Sequence, residues 1–220
     1  MKVLIFGDVH GNLISLEKLF GIEKGNYDQF VCHGDIVNYG PWTNECLEFL
    51  SQQQNGFFLK GNHEKYYIEK FYPGLNEVAK SFFKYCYPMF DTKYIELINE
   101  FRDDIKVGDF KIKHSVDDLY IFKDTDIESL DFENNTVVGH SHQQFHRVIK
   151  GKNIYNTGSL GQNRSLLDVA NYLIADTETN IVELKSFVFD IQKVISKMEE
   201  LKYPSICLNY YKSKNTVNKL

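Results

Sequence analysis

Residues 2–12 read KVLIFGDVHGN, and this stretch decides the fold. Its first half, Lys2–Phe6, is a short run of branched and aromatic residues, which is typical of a buried β-strand. The run stops at Gly7, and Asp8 and His10 follow directly behind it. Carboxylates and imidazoles are common metal ligands. Because sites in open α/β sheets gather just beyond the carboxyl ends of strands, the stretch predicts an α/β fold with a site at that edge.

Four further apolar runs end in the same kind of polar cluster. In four of the five clusters a glycine stands directly before the candidate ligand, where it lets the backbone turn sharply and approach an ion. Five of the seven histidines belong to the clusters, which favours a shared metal site over isolated polar residues. The four clusters are Gly34-Asp35, Gly61-Asn62-His63-Glu64, His114 and Gly139-His140-Ser141-His142. His33 and His146 have no partner in this set, and we expect them to be structural.

Helical patterns separate the early strands. Asn12 can cap a helix over Leu13–Phe20, and Thr43 or Asn44 can cap a second helix over Glu45–Gln53. The alternation of strands and helices predicts a largely parallel sheet with right-handed crossovers.

The second half of the chain is rich in strands. Val107 and Phe110 flank Gly108-Asp109, a turn signal that predicts a hairpin. The lysine- and asparagine-rich tail after Tyr211 is expected to be disordered. There is no repeat and no linker, so the sequence predicts a single domain over residues 1–220. Further strands are expected at 145–149, 153–156, 172–175 and 181–188, and a last helix at 190–201.

Residues 64–102 form an unusually aromatic segment with a helical pattern. Pro73-Gly74 interrupts the segment, and Pro88 separates two of its helical parts. We interpret it as a cap or lid beside the third polar cluster. Its tyrosines, together with Trp42, could stack on a purine base, and each such stack contributes about 1–3 kcal/mol. Packing of these helices on the core is the favoured interpretation.

Composition limits the class of protein. Of the 220 residues, 43% are hydrophobic, which is enough for a sizeable core. The net charge of -5 argues against tight sequence-independent binding to nucleic acid, so no stable nucleic-acid complex is expected. The sequence has no signal peptide, no run of 18 apolar residues and no CxxC pair among its four cysteines. We therefore expect a cytoplasmic protein without membrane association. Both a monomer and a homo-oligomer are compatible with the sequence.

Together, the five clusters resemble the five sequence blocks of the calcineurin-like metallophosphoesterase superfamily, in the same order. Residues 34–41 (GDIVNYGP) and 156–164 (NTGSLGQNR) are also similar to the small prokaryotic YfcE-like branch of that superfamily. The resemblance covers most of the chain. It implies a four-layer α/β/β/α sandwich in which residues 64–102 form a helical, aromatic-rich cap.

The resemblance also implies a centre of two divalent metal ions. Asp35 would bridge both ions, and Asp35 and His63 would be catalytic, with His63 facing the substrate as an acid or a hydrogen-bond donor. Two cations about 3.5–4 Å apart stabilise the attacking and leaving oxygens of a phosphoryl displacement and make a metal-bound hydroxide available near neutral pH. One ion would be bound by Asp8, His10 and His142, and the other by Asn62, His114 and His140.

The donor atoms limit the choice of metal. Nitrogen and oxygen ligands without a thiolate favour Mn²⁺ or Fe and leave Zn²⁺, Co²⁺ and Ni²⁺ as alternatives. Mg²⁺ is less suited to so many imidazoles. We therefore expect manganese or iron.

The second block departs from that of the protein phosphatases in the superfamily, which carry GDxxDRG. Asn38 stands where an aspartate would charge-pair the catalytic histidine, and Tyr39 where an arginine would hold phosphate. This argues against a Ser/Thr protein phosphatase and against a symmetric diadenosine tetraphosphatase. A neutral Asn38 can accept a hydrogen bond from His63 but stabilises its protonated form less than an aspartate. We hypothesise a leaving group that needs little protonation, such as a phosphoanhydride or an activated diester.

Three residues are candidates for substrate binding: Arg164, Asn38 and Asn12. Arg164 is one of three arginines and lies in a glycine-containing loop, where its planar fork suits a phosphate or a nucleotide. Glu64 is equally compatible with a role in the active site and with that of a first-turn acid favoured by the helix dipole.

The sequence therefore predicts a metal-dependent phosphoric ester hydrolase, either a phosphodiesterase or a phosphatase. The expected substrate is a small phosphoester, preferably a nucleotide phosphodiester or a dinucleoside polyphosphate. The alternative is a catalytically silent member of the fold that acts as a protein-binding scaffold, but such members usually lose the third-block histidine, which is His63 here. A nuclease is disfavoured because the chain has no basic block.

Overall fold

Two five-stranded β-sheets form the centre of the structure, a computed structural model that describes residues 1–217. The ten strands, in chain order, are β1 (Lys2–Phe6), β2 (Gln29–Cys32), β3 (Gly56–Phe58), β4 (Asp104–Val107), β5 (Phe110–Lys113), β6 (Asn135–Val138), β7 (Phe145–Ile149), β8 (Lys152–Asn156), β9 (Val169–Asp176) and β10 (Val182–Val188). The first sheet has the order β10-β9-β1-β2-β3 and the second has the order β4-β5-β6-β8-β7. The predicted α/β class is confirmed.

Seven α-helices and one short 3-10 turn accompany the strands in residues 1–217. The helices are α1 (Leu13–Ile22), α2 (Thr43–Ser51), α3 (Asn62–Glu69), α4 (Glu77–Cys86), α5 (Tyr94–Asn99), α6 (Ile191–Glu200) and α7 (Ser205–Ser213), and the 3-10 turn is Tyr87–Met89. The two predicted helices, α1 and α2, lie in the chain between β1, β2 and β3. Asn12 caps α1 as predicted, but the predicted cap of α2 at Thr43 or Asn44 is wrong, because α2 already begins at Thr43 behind Trp42, which makes no side-chain cap hydrogen bond.

Strand direction follows the prediction in the first half of the chain. β1, β2 and β3 are parallel neighbours, whereas β9 and β10 complete the first sheet in antiparallel pairing. In the second sheet β5, β6 and β8 are parallel, and the edge strands β4 and β7 are antiparallel. The β4–β5 hairpin turns at the predicted Gly108-Asp109. The polar clusters follow the carboxyl ends of β1, β2, β3, β5 and β6.

The alternation of side chains along β1 builds two cores at once. Val3 and Ile5 belong to a cluster shared with residues of the second sheet, such as Ile112, so this cluster lies between the sheets. Leu4 and Phe6 belong to the larger cluster shared with the helices. A strand that is buried on both faces needs a continuous apolar run, which is why KVLIF decides the fold.

The outer face of the second sheet is covered differently from that of the first. Residues 115–134 contain no helix, and Ile121 and Ile127 of this irregular segment pack on Phe145 and Ile154. The structure therefore has four layers, which are helices, the first sheet, the second sheet and a segment of irregular chain.

The aromatic segment splits into α3, α4, the 3-10 turn and α5. Pro73-Gly74 lies in the non-helical link before α4, and Pro88 lies in the 3-10 turn. Tyr67, Phe82 and Phe83 are buried in the helix-side core, as the packing interpretation expects. Tyr66 and Tyr72 are only partly buried, and the Tyr66 ring lies 5.4 Å from the His63 ring.

The C-terminal part contradicts two expectations. The helix predicted at 190–201 is not the last, because α7 follows it; α7 buries only Cys207 and Tyr211, too few apolar positions to form a visible periodic pattern. The tail is ordered through residue 217, since Asn215 accepts a hydrogen bond from the Leu167 N–H at 2.9 Å and the Val217 N–H donates to Asp168 at 3.0 Å. Residues 218–220 lie outside the described residues.

Candidate metal centre

The seven predicted ligands converge on one point between the two sheets' carboxyl edges. They are reached from five places in the fold: the ends of β1, β2, β5 and β6, and the start of α3. We call them the ligand cluster. Its members are Asp8, His10, Asp35, Asn62, His114, His140 and His142.

Four members of the ligand cluster form a first group. The donor atoms of Asp8, His10, Asp35 and His142 all lie within 4.8 Å of one another. Nε2 of His142 lies 3.1 Å from Oδ1 of Asp8 and 3.2 Å from Nε2 of His10. Nε2 of His10 lies 3.8 Å from Oδ2 of Asp35. Two carboxylates and two imidazoles at these separations suit a first-row divalent cation.

A second group shares Asp35 with the first. The donor atoms of Asp35, His114 and His140 lie within 4.8 Å of one another. Nε2 of His114 lies 3.4 Å from Oδ2 of Asp35, 3.2 Å from Nδ1 of His140 and 3.1 Å from Oδ1 of Asn62. A carboxylate common to both groups is the arrangement that a bridged pair of cations requires.

Backbone carbonyls orient three of the imidazoles. Nδ1 of His10, His114 and His142 donates to the carbonyl oxygens of Val37 (3.3 Å), His33 (3.2 Å) and Gln162 (2.7 Å), respectively. These bonds place a ring proton on Nδ1 and turn Nε2 toward the centre, where a metal-binding histidine needs it.

One buried oxygen tests whether a cation fits. Among the described residues, Oδ1 of Asp8 is buried without a hydrogen-bond donor. A buried carboxylate oxygen without a partner is costly unless it coordinates a metal. The donor set therefore fits a metal ion.

Electrostatics keep the carboxylates charged and two of the rings neutral. Burial opposes ionisation of Asp8 and Asp35, but neighbouring histidines, His142 for Asp8 and His114 for Asp35, lower both carboxyl pKa values. Burial lowers the pKa of His10, and lowers that of His140 to about 4. Burial also acts against a charge on His114, yet the Asp35 carboxylate raises the pKa of this ring to about 9. Deprotonated carboxylates and neutral imidazoles are the forms that bind metal.

Five members of the ligand cluster have left-handed backbone. The φ angles of Asp8, His10, Asp35, His140 and His142 are 48°, 49°, 52°, 66° and 58°. Non-glycine residues rarely adopt this region, which costs of order 1 kcal/mol or more each and clusters at functional sites. The surrounding fold must hold these residues in place.

The glycines of the clusters are needed for close approach. A Cβ on Gly61 would lie 2.1 Å from Oδ1 of Asp35, and a Cβ on Gly34 would lie 2.3 Å from the Gly61 nitrogen. The second and third blocks therefore touch backbone to backbone, which places Asp35 beside Asn62. These glycines permit close approach of backbone to backbone, and their predicted approach to an ion stays a prediction.

His33 was expected to be structural, and its position directly behind the ligand cluster, with a ring nitrogen within 4.8 Å of donor atoms of Asp8 and His114, was not predicted. Its ring is fully buried, and its Nε2 lies 2.7 Å from Oγ1 of Thr157. A Cβ on Gly7 or Gly139 would lie 2.2 Å or 2.1 Å from this ring. Burial lowers the pKa of His33 to about 4, so the ring is neutral at pH 7. In the sequence, the position of His33 directly before Gly34-Asp35 could have indicated that its ring lies beside the ligand cluster.

Glu64 does more than either of its two expected roles. Its buried carboxylate accepts hydrogen bonds from the backbone N–H groups of Asp35 (2.7 Å), Ile36 (2.7 Å), Val37 (3.2 Å) and Gly61 (2.8 Å). It thereby ties the loop after β2 to the start of α3. The sequence could not reveal this function, because three of the four donors lie nearly thirty residues away.

His63 lies beside the ligand cluster with Asn38 as its partner. The Asn38 amide donates to Nδ1 of His63 at 3.0 Å, which leaves the ring proton on Nε2. The sequence predicted the same pair, but with His63 as the hydrogen-bond donor and Asn38 as the acceptor. The His63 ring lies 5.1 Å from that of His10, and its backbone N–H donates to Oδ1 of Asp35 at 2.9 Å. Burial lowers the pKa of His63, and Asn38 supplies no negative charge to oppose this.

Tyr39 lines the same side of the centre. Its ring lies 4.8 Å from that of His10 and 5.3 Å from that of His63. The position that the resemblance assigns to an arginine in protein phosphatases therefore presents an aromatic face here. His146 lies elsewhere, exposed on β7 and stacked on Tyr155, as expected of a structural residue.

Asn12 and Arg164 occupy different environments. Asn12 is buried and caps α1, as predicted, with Oδ1 accepting the Ser15 N–H at 3.1 Å; its Nδ2 has no partner among the described residues. Arg164 is exposed, and in residues 1–217 no carboxylate lies within 4.0 Å of its guanidinium. Its guanidinium lies 5.4 Å from the ring centre of Tyr120, which stacks on His140 at 3.9 Å. Tyr120 was missed because its segment has no pattern.

The fold and this centre define a metal-dependent hydrolase of phosphoesters. The model of the calcineurin-like phosphoesterase family matches residues 1–169, and the chain belongs to that family. The family predicted from the five blocks is thus confirmed. In residues 1–217 no helix has the length and apolar character needed to cross a membrane.

Similar proteins agree on the fold. The chain is 25% identical to an uncharacterized protein of Methanocaldococcus jannaschii, over 92% of this chain and 93% of that protein. A metallophosphoesterase from Sphaerobacter thermophilus has a similar structure, with a TM-score of 0.79 and 23% identity over 96% of this chain and 99% of that one. The phosphoesterase YfcE from E. coli is more distant, with a TM-score of 0.50 and 16% identity over 86% and 100% of the two chains.

Proposed function

We propose that this chain is a binuclear phosphodiesterase that hydrolyses a small phosphoester, a nucleotide phosphodiester or a dinucleoside polyphosphate. The observation that carries the proposal is the position of Asp35, whose carboxylate belongs to both groups of donor atoms. A single shared carboxylate fixes the separation of two cations. In-line displacement at phosphorus uses such a pair.

The ligand cluster would hold the two cations. Asp8, His10 and His142 would bind the first cation. Asp35 would bind both cations. When bound, the ions supply a hydroxide from water near neutral pH and neutralise the charge of the phosphoryl group. Donors of mixed nitrogen and oxygen type support manganese or iron, with zinc, cobalt or nickel as alternatives. The ligands of the second cation are Asn62, His114 and His140.

His63 would assist departure of the leaving group. Its Nε2 carries the ring proton because Asn38 donates to Nδ1. A neutral donor can hydrogen-bond a phosphoryl or leaving oxygen, but it is a weaker acid than an imidazolium paired with a carboxylate. This supports a leaving group of low basicity, such as a phosphate or an activated alcohol.

Arg164, Asn38 and Asn12 would contact or orient the substrate. Arg164 is suited to an anionic or planar group because its guanidinium has no carboxylate partner in residues 1–217 and lies beside the exposed ring of Tyr120. Asn12 has an amide nitrogen that is free to donate. Residues 64–102 would act as the cap of a single domain, with Tyr66 beside His63.

The cysteines support a reducing compartment. Cys32, Cys46, Cys86 and Cys207 are all free and buried. Free buried thiols are usual in cytoplasmic proteins, whereas exported proteins tend to form disulfides. We therefore place the protein in the cytoplasm.

Hydrolysis of bis-p-nitrophenyl phosphate tests the proposal. Purified protein is treated with EDTA, reloaded separately with Mn²⁺, Fe²⁺, Zn²⁺, Co²⁺ and Ni²⁺, and assayed while bound metal is counted by elemental analysis. We expect about two equivalents of metal per chain and activity that EDTA abolishes. Inactivity with all five metals, or a stoichiometry of one at full activity, contradicts the proposal.

A further inference from the structure

A cavity of about 250 Å³ opens on one flank of the candidate metal centre. Asn62 and His114, two members of the ligand cluster, form part of its wall. The wall also contains three lysines, Lys60, Lys65 and Lys113, and we call the space the lysine cavity. The three lysines come from separate elements, the end of β3, helix α3 and the end of β5.

The ammonium groups of the lysine cavity have no acidic partner. In residues 1–217 no carboxylate lies within 4.0 Å of Lys60, Lys65 or Lys113, although ion pairs occur at other lysines. Lys60 and Lys113 are half-buried, whereas Lys65 is exposed. A half-buried cation without a partner is unfavourable unless something anionic is bound.

Carboxylates of the same cavity do not fill that role. All four are exposed to solvent, as Lys65 is, whereas Lys60 and Lys113 are half-buried. Asp104 is paired with Lys111 at 3.2 Å, and Asp118 accepts a hydrogen bond from Ser115. The remaining two are Asp103 and Asp117. Exposed carboxylates are well hydrated and contribute little to pairs at a distance.

The size of the cavity limits its ligand. Pockets that hold whole cofactors or drug-sized molecules have volumes of roughly 300–1,000 Å³. The lysine cavity is smaller, so it suits a fragment of a substrate whose remainder lies over the metal centre. Three amines as point charges suit a phosphate group.

We propose that the lysine cavity binds a second phosphate of the substrate, next to the phosphorus that reacts over the ligand cluster. The inference rests on the proposed function and makes it more specific. It selects phosphoanhydrides, such as nucleoside or dinucleoside polyphosphates, over nucleotide diesters with one phosphate.

Competition by two inorganic anions tests the lysine cavity. Inhibition of bis-p-nitrophenyl phosphate hydrolysis is measured with inorganic phosphate, which fits the metal centre alone, and with methylenediphosphonate, which reaches the cavity as well. The variants are Lys60→Gln/Lys113→Gln, Arg164→Gln and, as a matched control, Lys106→Gln on the neighbouring strand β4, outside the cavity wall. Free metal is kept in excess and constant.

The expected result is a change in the ratio of the two inhibition constants. In the double lysine variant, methylenediphosphonate should lose at least about tenfold in affinity relative to phosphate, because two charge-assisted contacts are removed. Lys106→Gln should keep the wild-type ratio. An unchanged ratio in the double variant, or a larger loss in Arg164→Gln, overturns the proposal.

A binding experiment separates this inference from the proposed function. Methylenediphosphonate and phosphate are titrated calorimetrically into the metal-loaded wild type and the same variants. If the wild type hydrolyses no ester but binds the diphosphonate through the lysines, the proposed function fails while the anion site stands. If hydrolysis is normal and the diphosphonate binds no more tightly than phosphate, the anion site fails alone.

Discussion

The ligand cluster and the residues around it are built in contrasting ways. Members of the ligand cluster follow strand ends, and backbone hydrogen bonds, left-handed φ angles and glycine contacts fix them. The surrounding residues, which we call the rim, come from loops, a helix start and an irregular segment. The rim consists of Asn38, Tyr39, His63, Tyr120 and Arg164.

The contrast separates what the backbone determines from what side chains determine. A ligand such as His142 has little freedom, since its Nδ1 is bonded to the Gln162 carbonyl and its backbone is left-handed. Arg164 of the rim is exposed, and its guanidinium lies over the rings of Tyr120 and Phe122 at 5.4 Å and 5.9 Å. We infer that reaction chemistry depends on the ligand cluster and that substrate choice depends on the rim.

The largest effect is expected from Asp35→Ala, in the ligand cluster. This variant removes the carboxylate common to both donor groups. We expect activity to fall by more than the roughly 10²–10⁴-fold that loss of a general acid costs, because the shared carboxylate supports both donor groups. Metal content should fall below two equivalents in elemental analysis. The control is Asp109→Ala in the β4–β5 turn, which should behave as wild type; full metal content in Asp35→Ala would show that the carboxylate does not bridge.

A smaller and selective effect is expected from His63→Ala, in the rim. Hydrolysis of alkyl phosphodiesters should fall by about 10²–10⁴, the range for loss of a general acid. Hydrolysis of p-nitrophenyl diesters should fall much less, because p-nitrophenolate departs without a proton. Metal content should stay at the wild-type level. Equal losses on both substrates would contradict the leaving-group hypothesis and would weaken the distinction between rim and ligand cluster.

An intermediate effect on metal affinity is expected from His33→Ala. The His33 ring fills the space against Gly7 and Gly139, whose neighbours Asp8 and His140 are in the ligand cluster. Its loss should lower metal affinity by about 10–100-fold, as is usual for groups that support ligands. Competitive metal titration with a chelator measures this. His33→Gln, which can keep a bond to Thr157, should recover part of the affinity, and His146→Ala should change nothing.

The smallest effect is expected from Glu23→Gln, which lies in neither region. The buried Glu23 carboxylate accepts hydrogen bonds from Tyr172 and Asn26 and pairs with Lys185. Burial alone would raise its pKa, but these partners lower it below 4.5. Because the folded-state pKa is lower, the stabilisation is present above about pH 4.5 and is lost as pH falls through the folded value.

Denaturant unfolding at several pH values checks the Glu23 prediction. At pH 7 the free energy of unfolding of Glu23→Gln should be about 2 kcal/mol below wild type, the range for hydrogen bonds to charged groups. The difference should shrink as the pH approaches 3. Metal binding should be unchanged. A difference that is constant across pH would show that packing, and not charge, accounts for the effect.

The ligand cluster was predictable from the sequence because its members stand in short polar clusters just beyond strand ends, most of them directly after a glycine. Such patterns span only a few neighbouring residues, so they can be recognised in the sequence alone, as in GDVH and GHSH. His33 and Glu64 were harder to place, since their functions depend on contacts with distant glycines and backbone N–H groups. Tyr120 and helix α7 carry no periodic pattern, so only three-dimensional packing reveals them.

The left-handed backbone of five ligand residues has a consequence for how the protein persists in a cell. Each of these residues has a strained backbone conformation that is relieved when the chain unfolds. The strain at the metal centre therefore destabilises the folded form. A cation that binds the folded form alone adds stability of RT ln(1 + [L]/Kd), about 2.7 kcal/mol at a hundredfold excess over Kd. Loss of the metal would therefore lower the stability of the folded chain and raise the unfolded fraction that proteases can attack.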